Sequence, residues 1–146
     1  MRTSAVAAGL AGLSLLIAGV LTSPAAADTI HFRATLSGAN EVPPITSPAA
    51  GSATLVLDTA TGLLQWHIQA HDLTAPATVL HFHGPGTAEQ NAAVVLDIGR
   101  GGESPWQGQA VLNQIQMDQV LAGLWYINIH TAAFPPGEIR GQVVKN

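Results

Sequence analysis

Two short segments carry residues able to do chemistry: His81-Phe82-His83-Gly84-Pro85-Gly86 and, about fifty residues later, Tyr126-Ile127-Asn128-Ile129-His130-Thr131. Both alternate apolar and polar residues with the period of a β-strand. The histidines therefore share a side with one another and not with Leu80, Phe82, Ile127 and Ile129. Three imidazoles pointing away from the core on one sheet face predict a metal site, because neutral imidazole is the commonest protein ligand for copper, zinc, iron and nickel. Residues i and i+2 of a strand lie roughly 6.6 Å apart. Rings at His81 and His83 can thus lean together and place nitrogens about 2.0–2.1 Å from one ion. A His-x-His pair alone fits equally well as two exposed or hydrogen-bonded rings at a strand end; the Gly-Pro-Gly that follows it and the third strand-borne ring of His130 favour ligation.

The elements that must position these rings are short strands punctuated by turn residues. Ile30 to Leu36 alternates until Ser37-Gly38-Ala39-Asn40 and Pro43-Pro44 break the pattern. Ser52 to Leu57 resumes it, and Asp58-Thr59-Ala60-Thr61-Gly62 reads as a hairpin connection into Leu63 to Ala70. Val79 to His83, Ala93 to Ile98, Gln109 to Leu112, Leu124 to His130 and Glu138 to Val144 complete the set, with Gly and Pro keeping each run short. One helical passage, Gln116 to Ala122, places Met117, Val120 and Leu121 at i, i+3 and i+4, with Gly123 where a C-terminal cap belongs. The expected fold is all-β: an antiparallel β-sandwich or Greek-key barrel with one short helix. Within it, His67, Gln69 and His71 share a polar face, as do Glu138, Arg140 and Gln142. His67 and His71 are candidate additions to a metal site, although His71 beside Asp72 also reads as a solvated turn residue. His31 reads as structural or free.

The N-terminus predicts where the protein works. Arg2 supplies a positive start, Ala5 to Leu21 is apolar, and Ala25-Ala26-Ala27 before Asp28 fits a signal-peptidase site. A retained membrane anchor is the alternative, since the apolar run approaches spanning length. The small-residue pattern favours a signal peptide over residues 1–27 and one domain over 28–146, exported to a periplasm or beyond the cell, with no membrane association after cleavage. The mature part keeps four of the five basic residues and all nine acidic ones, a formal charge of about −5. That balance argues against nucleic acid and anionic membrane surfaces as partners. Cysteine is absent. Thiol catalysis, zinc fingers, iron–sulfur clusters and thiolate copper sites are excluded, and any metal must be held by nitrogen and oxygen.

Three motifs in order, Ser37-Gly38-Ala39-Asn40-Glu41-Val42-Pro43-Pro44, the His-Phe-His-Gly-Pro segment, and Trp125 to Thr131 continuing through Gly137-Glu138-Ile139-Arg140-Gly141-Gln142-Val143, resemble the CHRD domain, named for chordin. The resemblance runs from about Ile30 to Val144. It implies a β-sandwich and little settled biochemistry, since the animal proteins antagonise secreted growth factors and many bacterial members are exported single domains. Its polar signature falls on Glu41, His81, His83, His130, Glu138 and Arg140.

A weaker similarity concerns ligand pattern. A His-x-His pair completed by a distant histidine on another strand of a β-sandwich resembles the copper half of copper/zinc superoxide dismutases. Here there is no disulfide, no evident zinc loop and no clear bridging histidine, so the expectation is a mononuclear centre. In this reading His81, His83 and His130 hold copper or iron, with zinc as a further candidate. Arg140 attracts a small anionic substrate such as superoxide. Glu41 or Glu138 is a fourth ligand, or the acceptor that fixes a histidine tautomer. Against this stands a binding module without turnover, which sequesters a metal or recognises a protein. Zinc hydrolysis lacks a His-Glu-x-x-His helix, and serine-triad chemistry lacks a Gly-x-Ser-x-Gly elbow.

Overall fold

The computed structural model describes residues 28–146, so the expected signal peptide lies outside the described residues. These residues form one sheet of nine strands: β1 (Thr29–Ser37), β2 (Ala50–Asp58), β3 (Leu63–His71), β4 (Ala77–His83), β5 (Val94–Arg100), β6 (Trp106–Val111), β7 (Tyr126–Thr131), β8 (Ile139–Gln142) and β9 (Val144–Lys145). The strand order is β5-β4-β7-β8-β1-β2-β3-β6, with β9 beside β1, and every pairing is antiparallel. The end strands approach each other, and Trp106 Nε1 donates to the Gly101 carbonyl at 3.0 Å. No ladder joins β5 to β6 among the described residues, so the sheet is a nearly closed barrel.

Alternation explains which way the strands face. Phe32, Ala34 and Leu36 of β1, Ala53, Leu55 and Leu57 of β2, and Leu64, Trp66 and Ile68 of β3 point inward and are buried. Leu80 and Phe82 of β4 lie side by side with Ile129 and Ile127 of the neighbouring β7 and are buried with them in the interior. Phe82 sits at the centre, edge-on to Trp66 with ring centroids 5.3 Å apart and 5.7 Å from Trp125. Burial of these aromatics together with the aliphatic side chains around them favours closing the sheet.

The turns follow local chemistry. Asp58 Oδ1 accepts from the backbone amides of Ala60 and Thr61 at 2.9 and 3.0 Å, which closes the β2–β3 hairpin. The helix α1 (Gln114–Leu121) starts two residues earlier than its apolar spacing suggests, because Asn113 and Gln116 form a reciprocal capping box. Its buried face is Val120. Among the described residues no helix is long and apolar enough to cross a membrane.

The outer face of β7 is not bare. Tyr126, Asn128 and His130 face outward yet are buried, because the segments 38–49, 84–93 and 132–137 fold across β4, β7 and β8. The expectation of rings on an open sheet face is corrected here: loops bury His130 and leave His81 and His83 half-buried.

Candidate metal centre

His81 and His83 stand on β4, and His130 on the neighbouring β7. The register pairs Val79 with His130 and His81 with Asn128, so His130 lies diagonally across from His81. The β4–β5 ladder shifts register between Leu80 and His81 and again between Phe82 and His83, irregularities that re-aim both ring-bearing residues. One ring nitrogen from each of the three histidines lies within 4.8 Å of the others. His81 Nδ1 and His130 Nε2 are 3.3 Å apart.

The far side of each cluster member decides what the near side can do. His83 Nδ1 lies 2.9 Å from the Ala92 carbonyl and His130 Nδ1 lies 2.9 Å from the Pro135 carbonyl. A carbonyl oxygen only accepts, so in both rings Nδ1 carries the proton and Nε2 presents its lone pair. His83 Nε2 is buried with no hydrogen-bond partner. Two oriented lone pairs, with the Nδ1 of a third ring beside one of them, are a nitrogen ligand set held by outer hydrogen bonds. The pair His81–His130 shares one proton, and a cation can replace that proton.

Electrostatics favour the neutral form of His81 and His83. Burial pushes His81 below the ordinary histidine range, with His130 acting in the same direction and Asp97 against it. Burial also lowers His83, against the opposing pull of the Ala92 carbonyl. Both rings are therefore biased toward neutral imidazole.

The two glutamates stand outside this cluster, which consists of the three histidines alone among the described residues. Both carboxylate oxygens of Glu41 accept from Asn128 Nδ2, at 3.2 and 3.1 Å. Burial raises the Glu41 pKa, more than Asn128 and Arg140 lower it. Glu138 is fully buried and accepts from Ser47 Oγ at 2.8 Å and from the Thr74 amide at 2.9 Å. Burial pushes its carboxyl up, but the hydrogen bonds of Thr74, Ser47 and Thr131 outweigh it and leave the pKa below the ordinary value.

Arg140 is 1% exposed. Its guanidinium lies 3.5 Å from the centre of the Tyr126 ring, and Tyr126 stacks on His83 with centroids 4.9 Å apart and planes 4° from parallel. Since β7 runs between β4 and β8, Tyr126 separates the arginine from the histidines. A cavity of about 380 Å³ lies beside His83, walled by Glu41, Tyr126, Asn128, Phe134 and Pro136. His67 and His71 on β3 are separated from β4 by four intervening strands, β7, β8, β1 and β2. His71 instead contacts exposed Asp72 at 2.9 Å, and His31 is exposed on β1.

The CHRD domain profile matches residues 32–143, which span nearly all of the barrel and every residue of the cluster. The chain belongs to the CHRD domain family. A search among curated proteins gives no match. The CHRD match thus covers the histidines and also the covering segments, whose contributions the sequence did not reveal: the carbonyls of Ala92 and Pro135. Backbone carbonyls leave no signature in a sequence. The Gly-Pro-Gly after His83 did mark where one covering segment begins.

Proposed function

We propose that this CHRD domain is an exported protein that binds one copper or iron ion through His81, His83 and His130 and exchanges electrons with superoxide. The observation that carries the reading is the pair of Nδ1 protons donated to the Ala92 and Pro135 carbonyls, which leaves the Nε2 lone pairs of His83 and His130 turned inward beside His81. Three ligands leave a coordination position open, the arrangement of a catalytic rather than a purely structural site. Bound copper or iron would supply one-electron chemistry, with one superoxide oxidised to dioxygen and a second reduced, with two protons, to hydrogen peroxide.

The chain's own residues suit that chemistry. Imidazole serves copper and iron alike. The charge of Arg140 reaches His83 from behind Tyr126, a field that favours approach of an anion in a protein of net negative charge. Glu41, with its raised pKa, stands on the wall of the cavity that His83 also lines, outside the ligand shell. Glu138 serves the scaffold. Export rests on the leader-like residues 1–27.

The roofing of the cluster favours a second reading. His130 is 9% exposed and His81 and His83 are half-buried, and a site covered to this degree also suits a module that retains a metal without turnover. Elemental analysis of the untagged mature protein, with a superoxide-consumption assay on the same sample and on the His81→Ala/His83→Ala/His130→Ala variant, separates the two. One equivalent of copper or iron, with activity lost in the variant, is the expected result. Metal without activity leaves the retaining module, and no metal after reconstitution sinks both.

A further inference from the structure

Between β4 and β5 the chain makes an arch over the outer face of the barrel, residues 84–93. Its ends are tied by main-chain contacts: the Gly84 amide donates to the Ala93 carbonyl at 3.1 Å, and the Gly86 amide to the Leu124 carbonyl at 2.9 Å. Its crown, Thr87 to Asn91, is exposed throughout, so no apolar burial holds it in place. Gln142 Nε2 donates to the Gly86 carbonyl at 2.9 Å at the arch's start, and most of the ties to the crown itself come from Arg140. Nη2 donates to the Thr87 and Gln90 carbonyls at 2.9 and 2.8 Å, and Nη1 donates to Asn91 Oδ1 at 3.1 Å. Asn91 Nδ2 in turn donates to the Val42 carbonyl at 2.7 Å.

The residue after this crown is Ala92, whose carbonyl accepts the Nδ1 proton of His83 at 2.9 Å. Tyr126, sandwiched between the guanidinium and the His83 ring, also grips Ala92: its hydroxyl accepts from the Ala92 amide at 3.0 Å. We infer that Arg140 is a positioning residue that fixes His83 in its Nδ1–H tautomer, by clamping the arch that carries the Ala92 carbonyl. The clamp requires the planar fork, because three acceptors from three residues converge on one guanidinium. A lysine at this position keeps the charge and loses the fork. An imidazole released from its carbonyl can carry its proton on either nitrogen, and a proton on Nε2 blocks the ligand atom. The inference rests on the proposed metal site for its consequence, and on the hydrogen bonds alone for its geometry.

Long-range proton–nitrogen NMR of the metal-free protein reads the tautomer directly, and copper(II) titration against a competing chelator reads its effect. In the wild type His83 should carry its proton on Nδ1 only. In Arg140→Lys both nitrogens should be populated, with copper(II) affinity lower by about tenfold, the lower end of the usual cost of losing an outer-shell partner. In the His83→Ala background the same lysine should change copper affinity by less than about twofold, since the coupling runs through His83. Asn91→Ala, at an exposed position, removes one acceptor and the Val42 tie; it should move both readouts in the same direction by less, and it decides the matter if the buried lysine prevents folding. A His83 tautomer unchanged in both variants overturns the inference. An equal loss of affinity with and without His83 does so too. Wild-type protein that takes up no copper sinks the metal site instead, while the tautomer still decides the role of Arg140.

Discussion

A strand histidine is oriented as a ligand when something holds its other nitrogen, and the two carbonyl acceptors at His83 and His130 separate this cluster from three rings that merely meet. The same enclosure makes folding sensitive to pH. His81 and His83 have folded pKa values below the ordinary 6.5. Above that value both states leave the rings neutral, and the folded state keeps its full stability. As pH falls below it, the unfolded chain gains protons that the folded rings resist, so stability is lost progressively toward the folded pKa values. Glu41, raised above its ordinary 4.5, acts oppositely and adds stability as pH falls from its folded pKa toward 4.5, whereas Glu138, lowered, acts in the same direction as the histidines but only below 4.5. Urea midpoints of the metal-free protein should therefore fall between pH 7.5 and pH 5, and the fall should be smaller in a His81→Ala/His83→Ala variant. An equal fall in that variant would place the pH dependence elsewhere. At this scale the sequence was legible for ring identity and spacing, since alternation alone puts His81, His83 and His130 on one face. It offered Glu41 and Glu138 as a fourth ligand or a tautomer-fixing acceptor, and gave no sign that their carboxylates are occupied by Asn128, Ser47 and Thr74, partners as many as 91 residues away in the chain.

At the scale of elements, the strand pattern was readable because each strand buries one face, and the turn residues between strands marked most boundaries within a few positions. The grouping of strands was not readable: the polar face of β3 with His67 and His71 resembles that of β4, and only the sheet order separates them. The covering segments were illegible for a different reason, since their paths depend on single long-range ties such as Asn91 to Val42. The turn between β7 and β8 shows how much one such segment carries. Pro135 supplies the carbonyl that orients His130, and two residues on, Gly137 adopts φ 141°. A Cβ there would press into the Asn128 side chain and lie 2.8 Å from Glu41 Oε1. Gly137→Ala should cost about 1–3 kcal/mol in strain and overpacking and should weaken metal binding through His130. Denaturant midpoints and copper titration measure the two effects. Normal metal affinity in a destabilised variant would show that the turn supports the barrel and not the ring.

Considered as a whole molecule, the site and the core are two faces of one strand. β4 sends Leu80 and Phe82 into the interior and His81 and His83 outward, and it lies between β5 and β7 in the sheet. A ligand that fixes both histidines to His130 therefore cross-links β4 to β7, strands that must separate when the barrel unfolds. Metal should stabilise the global transition and not a local one. At a free metal concentration one hundred times the dissociation constant, linkage contributes about 2.7 kcal/mol, which for a domain of this size is a rise in Tm of roughly 10 °C. Calorimetry without metal and with free copper buffered at one hundred times the dissociation constant should show a single transition displaced by that amount and returned by a chelator. The core variant Phe82→Ala separates the two faces: it should lower stability by about 3–5 kcal/mol yet keep the metal-dependent increment, because the histidine backbone positions are set by the ladders to β5 and β7. Loss of the increment in Phe82→Ala would mean that the ring geometry depends on interior packing. An unchanged transition in the wild type on adding metal would mean that the cluster does not bridge the two strands.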